Sequence, residues 1–136
     1  MPEATINLLA VFVAALASYF LGALWYSPVL FGKMYMKMSE IRPGKKPHPN
    51  VTRSYIFGFL STLVMSYVLA HFIDYAGATT AVDGAIAGLW LWLGFIATVT
   101  LGSVLWENKS FKMYVLNNTY NLVSLLLMGA ILAVWV

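Results

Sequence analysis

The chain has 136 residues, 61% of them apolar and 10% charged, with a formal net charge of +3 and no cysteine. Soluble domains carry about 25% charged residues, so an ordinary water-facing surface is excluded, and without cysteine so are disulfides and thiolate metal sites. The length suits one domain.

The few charges are unevenly placed. Residues 4–32, 54–73, 84–106 and 113–136 contain no charged side chain. About 20 apolar residues, at 1.5 Å each, cross the hydrocarbon core of a bilayer. The expected fold is therefore all-α: four transmembrane helices in one bundle, over about 5–27, 54–74, 84–106 and 113–135, forming a single domain from 1 to 136. The alternating strands of a closed barrel, the other spanning architecture, are missing. In the first span "AALAS", residues 14–18, has the A-x-A pattern of a signal-peptidase site. Glu3 precedes it with no lysine or arginine, and the apolar run continues past Ala17, so the segment is read as a retained helix.

All eight lysines and arginines lie in two connections. Lys33, Lys37, Arg42, Lys45, Lys46 and Arg53 lie between spans one and two, and Lys109 and Lys112 between spans three and four. The amino-terminal segment and the middle connection hold only Glu3, Asp74 and Asp83. Positive-inside bias predicts a multi-pass inner-membrane protein with both basic connections in the cytoplasm and both termini outside. Charges that flank spans rather than stud a folded face argue against a nucleic-acid partner. The N-x-[ST] matches at Asn50, Asn108 and Asn117 fall in cytoplasmic connections or a helix and are read as chance.

Span one ends in "LGALWYSPVLFGKMY", residues 21–35. Trp25 and Tyr26 suit the headgroup level and are read as an interface anchor. Pro28 has no N–H and disfavours helix at Ser27, which stops the span. Beyond it, Phe31, Met34, Tyr35 and Met38 recur at helical spacing, with Lys33, Lys37 and Glu40 elsewhere around the wheel. That pattern predicts a short interfacial helix. "RPGKKPHPNVTR", residues 42–53, reads as an extended loop, within a basic cytoplasmic stretch over 33–53. Lys33, Lys37, Lys45 and Lys46 form a basic patch expected to attract anionic lipid headgroups, at ~1 kcal/mol per charge; a specific anion site is the sharper alternative.

A related block, "LGSVLWENKSFKMY", returns at 101–114. Both copies begin near the end of a span running in one direction, which raises a parallel repeat of two hairpins against convergent interface chemistry.

In lipid, helices associate through small residues and polar contacts. Small-residue stripes run along Ala10, Ala14, Ser18 and Gly22, and along Gly58, Thr62, Ser66 and Ala70. The third span has two: Gly84 with Gly88, and Gly94, Thr98 and Gly102. In the fourth span, Tyr114, Asn117, Asn121, Ser124 and Met128 share one face. The asparagines read either as glue between helices or as the lining of a polar pathway with Tyr120, and Glu107 is a candidate partner. His71 and Asp74, three residues apart, form a candidate outer polar pair, for proton or metal binding or as a helix-end cap. No further cluster at ligand spacing accompanies them, since His48 stands alone in the basic loop, and metal sites need three or four ligands. No metal or cofactor is expected.

Three segments carry a family resemblance: "LGALWYSPVLFGK" near the amino terminus, "GLWLWLGFIATVTLGSVLWE" in the third span and "NTYNLVSLLLMGAILAVW" in the fourth. They resemble the DUF1761 family of small bacterial membrane proteins over nearly the whole chain, the W-Y-S-P-x-x-F-G-K block most specifically. The resemblance implies four helices in a bacterial membrane. It implies no activity and no catalytic or binding residue.

Three functions compete. The first is a structural or interaction protein, forming an oligomer or attached to a larger membrane complex. The second is a small-solute or ion pathway along the polar face of the fourth span. An enzyme ranks last, because no nucleophile–base pair, metal cluster or phosphate loop is present. Intramembrane charges usually mark transport pathways, and their absence favours the first. Reporter fusions at Val136 and near Lys45 check the orientation: an extracytoplasmic signal is expected at Val136 and a cytoplasmic one near Lys45. A cytoplasmic signal at Val136 would overturn it.

Overall fold

A computed structural model describes residues 6–27, 30, 33, 51–108 and 110–135. The described chain is all-helical, with four helices long and apolar enough to cross a membrane. They are α1 (Leu8–Trp25), α2 (Val51–Tyr75), α3 (Ala81–Leu105) and α4 (Phe111–Val134). Of the interfacial helix expected after α1, all but Leu30 and Lys33 lies outside the described residues.

Helix starts follow capping chemistry rather than the charge boundaries. Asn7 accepts hydrogen bonds from the Leu9 and Ala10 amides and starts α1. Thr80 accepts from the Asp83 amide, so α3 begins at Ala81 and places Asp83 in its first turn, favourable to the helix dipole. Ser110 caps α4. Gly77, with φ 69°, turns the chain between α2 and α3, and Asn108, with φ 55°, turns it between α3 and α4; both adopt the left-handed region that glycine and asparagine tolerate.

The packing is asymmetric. α4 is the hub: 39% of its spanning window is buried, against 17% for α2 and for α3. It packs most closely on α3, then on α1, and least on α2, while α2 hardly touches α3. The core joins Ala10 and Ala14 of α1, Leu69 and Ile73 of α2, and Leu125, Met128 and Leu132 of α4. Large apolar side chains face outward instead, with Phe20 71%, Phe95 71% and Val99 70% exposed, as expected where hydrocarbon is the solvent.

The small-residue stripes sit where helices meet. Ala10, Ala14 and Ser18 are buried, and Gly22 faces the Tyr120 hydroxyl, 2.8 Å from where a Cβ would stand. On α2, the buried Ser66 hydroxyl donates to the Val11 carbonyl at 2.9 Å, and Gly58 faces Tyr19. The closest approach joins α3 to α4: a Cβ on Gly84 would overlap the Gly129 carbonyl, and one on Gly88 the Leu125 carbonyl. The other α3 stripe has no packing partner among the described residues. Nothing stands within 4 Å of a Cβ built on Gly94, and Thr98 is exposed.

One irregularity sets the phase of α3. The helix is α over Ala81–Leu91, π over Trp92–Ala97 and α again over Thr98–Leu105. Its contacts with α4 fall at Gly84, Gly88, Trp92, Ala97 and Thr100. The step of five from Trp92 to Ala97 is the signature of the π turn. In a continuous α-helix, Ile96 would take the inward place that the buried Ala97 holds.

The two hairpins also treat their related blocks differently. Trp25 is half-buried against Tyr120, whereas Trp106 is 87% exposed. Gly84→Leu and Gly88→Leu are expected to destabilise the bundle by about 1–3 kcal/mol each through overpacking. Gly94→Leu should stay within about 0.5 kcal/mol of wild type, as for an open surface position. Unfolding titrations in detergent micelles check this; equal losses at Gly88 and Gly94 would refute the assigned interface.

Candidate functional site

The polar side chains of α4 form a seam that serves two helices. Toward α1, the Asn117 amide oxygen accepts from the Tyr26 hydroxyl at 2.6 Å. One turn on, the Tyr120 hydroxyl donates to the Ser18 carbonyl at 3.0 Å, and the buried hydroxyls of Ser18 and Ser124 share a hydrogen bond. Toward α3, the Tyr114 hydroxyl donates to the Ala97 carbonyl at 2.6 Å. The Asn118 amide oxygen accepts from the Thr100 hydroxyl at 3.0 Å, its nitrogen donates to the Tyr114 carbonyl, and its own carbonyl accepts from the Trp92 indole at 2.9 Å. The residues stitched at Trp92, Ala97 and Thr100 bracket the π turn. A π turn displaces regular backbone pairing, and in lipid an unsatisfied backbone group costs several kcal/mol. Ala97 offers a carbonyl there that Tyr114 satisfies, and the single proton of the Thr100 hydroxyl is divided between the Ile96 carbonyl at 2.6 Å and the Asn118 amide oxygen.

Asn117 and Asn121, expected on one polar face, are separated in the structure. Asn117 meets α1. Asn121 lies between the α1-facing and α3-facing residues, half-buried, and makes no side-chain hydrogen bond among the described residues. Asn118, not singled out from the sequence, is buried at 5% exposure and meets α3 twice, once through its amide oxygen and once through its main-chain carbonyl. Its spacing of four from Tyr114 was a signal available in the sequence, and so was Trp92, whose indole N–H needs an acceptor when buried. Glu107, the candidate partner of the asparagines, is exposed in the turn after α3 and bonds neither Asn117 nor Asn121.

Trp25 and Tyr26, expected as an anchor at headgroup level, are both half-buried against α4. Their ring centroids lie 6.2 and 5.6 Å from that of Tyr120. These rings join helices as well as ending α1. Of the basic patch, Lys33 is exposed; Pro28, Lys37, Lys45 and Lys46 lie outside the described residues.

The structure does not join His71 to Asp74. The His71 Nδ1 lies 2.9 Å from the Tyr67 carbonyl and so carries the proton that is donated there. Its ring stands between Tyr67 and Tyr75, at centroid distances of 4.7 and 6.3 Å. Asp74 is exposed and lines a cavity of about 270 Å³ with Asn7, Ala10 and Trp135, at the end of the bundle where α1 begins and α4 ends. Among the described residues no three His, Cys, Asp or Glu side chains gather as a metal site would require.

The seam separates three single substitutions. Asn118→Leu removes the amide oxygen that faces the Thr100 hydroxyl of α3, leaving the Trp92 bond to the main-chain carbonyl, and is expected to cost about 0.5–1.5 kcal/mol. Asn117→Leu removes the acceptor of the Tyr26 hydroxyl, at about 1 kcal/mol. Asn121→Leu should stay within about 0.5 kcal/mol of wild type. Thermal unfolding in bicelles measures all three, and a loss at Asn121 matching that at Asn118 would show that its amide also bonds a neighbouring helix.

No curated protein and no solved structure matches this chain. One family model does, over residues 9–133, which takes in all four helices and the whole seam. The chain therefore belongs to the family described as protein of unknown function DUF1761.

Proposed function

We propose that this protein is a structural or interaction component of a membrane, neither an enzyme nor a solute pathway, with both termini outside the cytoplasm. The observation that carries this reading is the seam. Tyr26, Thr100, Tyr114, Asn117, Asn118, Tyr120 and Ser124 commit their polar groups to hydrogen bonds that hold helices together. A pathway needs such groups free to exchange with a solute. The spans also carry no carboxylate, lysine or arginine at mid-depth, where proton- and ion-coupled proteins keep theirs.

The interaction half of the proposal rests on the unpartnered face of α3. Gly94 and Thr98 give it the small-residue character of the stripes that pack helices within this chain. A second copy or another membrane protein is the partner that this face suits. The rival reading, a pathway along α4, has one observation in its favour, the uncommitted amide of Asn121.

Two measurements test the proposal. Vesicles containing the purified protein should pass ions and small polar solutes no faster than empty vesicles; a flux lost on Asn121→Leu would favour the pathway. Cross-linking in native membranes should capture a complex that Gly94→Leu reduces several-fold at unchanged expression. A complex indifferent to that substitution would remove the α3 face from the proposal.

A further inference from the structure

Where α2 and α3 diverge, an apolar groove of about 390 Å³ opens sideways, with Leu125 of α4 among its lining. Met65, Val68, Leu69 and Phe72 of α2 form one wall, and Phe95 and Ile96 of α3 contribute to the other. From the structure we infer that this groove holds one acyl chain of a zwitterionic lipid, entering from the leaflet on the side of the α2–α3 turn.

The lining selects a hydrocarbon chain over a protein helix. Helices in lipid approach through small residues, and the contacts of α1 with α4, α1 with α2 and α3 with α4 include them. The groove reverses that rule: none of the residues lining it is smaller than valine. A flexible chain adapts to such walls where a second backbone cannot come near. The π turn shapes the site, since rotating Ala97 inward leaves Ile96 to line the groove.

Depth and charge select the lipid. Phe72 lies three residues from the end of α2 at Tyr75, about 5 Å at 1.5 Å per residue, while Met65 lies about 21 Å from Val51 at the other end. The chain therefore enters past the α2–α3 turn. That end carries the carboxylates Asp74 and Asp83, and the described cations Arg53 and Lys112 sit in the first turns of α2 and α4, at the opposite end. An anionic headgroup would be repelled there, and a headgroup with its own ammonium, such as phosphatidylethanolamine, would not.

Native mass spectrometry of the detergent-solubilised protein, incubated with equal phosphatidylethanolamine and phosphatidylglycerol, tests the inference. Wild type should retain one phosphatidylethanolamine per chain, and Val68→Trp, which fills the groove from its exposed wall, should retain at least several-fold less. A photoreactive benzoylphenylalanine replacing Phe72 should capture that lipid saturably, and one replacing Phe57, exposed away from the groove, should not. The photoreactive variant decides the matter if Val68→Trp misfolds. No retained lipid, preferential retention of phosphatidylglycerol, undiminished retention in folded Val68→Trp, or capture of protein rather than lipid at Phe72 would each overturn the inference.

Discussion

Gly84 of α3 and Gly129 of α4 place two helix backbones in direct contact, and the rest of the bundle is arranged around that contact. Lipid tails are as apolar as leucine, so no hydrophobic force draws spanning helices together. Dispersion between closely fitted backbones must supply the attraction instead, and only residues with little or no side chain permit it. Gly88 extends the contact by a turn against the Leu125 carbonyl. With α3 and α4 seated in this way, α4 becomes the surface on which α1 also packs, and α2 is held chiefly through α1 and the far half of α4.

The glycine contact lies toward the end where α3 begins, and it could not continue unaided. Trp92, next on the same face, is too large for backbone contact. The π turn widens α3 there and brings Ala97 inward, and the polar groups of α4 take over: the helices are held by close approach in one half and by hydrogen bonds from Tyr114 and to Asn118 in the other. Each mode suits its place. Glycine stripes need no partners for side-chain polar groups, and an irregular backbone in lipid needs many. The π turn and the polar seam are thus one structural element.

This arrangement bears directly on function. Polar residues inside a membrane invite a transport reading, and here they are explained almost completely by the irregularity they repair and the helices they join. What remains for interaction lies on the outside: the Gly94 face of α3 and the groove between α2 and α3. These differ in character, the first small-sided and suited to another helix, the second bulky-walled and suited to a hydrocarbon chain.

The number of helices, their approximate limits and the single-domain architecture were legible in the sequence, because charge is excluded from hydrocarbon over a fixed length and its absence marks each span. Three of the four small-residue stripes were legible as contact faces for the same reason: a periodicity of four places them on one side of any α-helix. The groove was not, and for Asn118 the sequence offered only its spacing of four from Tyr114, not its partners. Periodicity assumes a regular helix, and the π turn at Trp92–Ala97 changes the phase of α3 by one residue, so that Ala97 rather than Ile96 turns inward. The amino-acid sequence by itself determined that these helices span a membrane and which small residues could bring them together. Only the tertiary structure decided which amide is buried and which face stays open, because those depend on the rotation of one helix against another, which an α-helical wheel drawn through a π turn cannot contain.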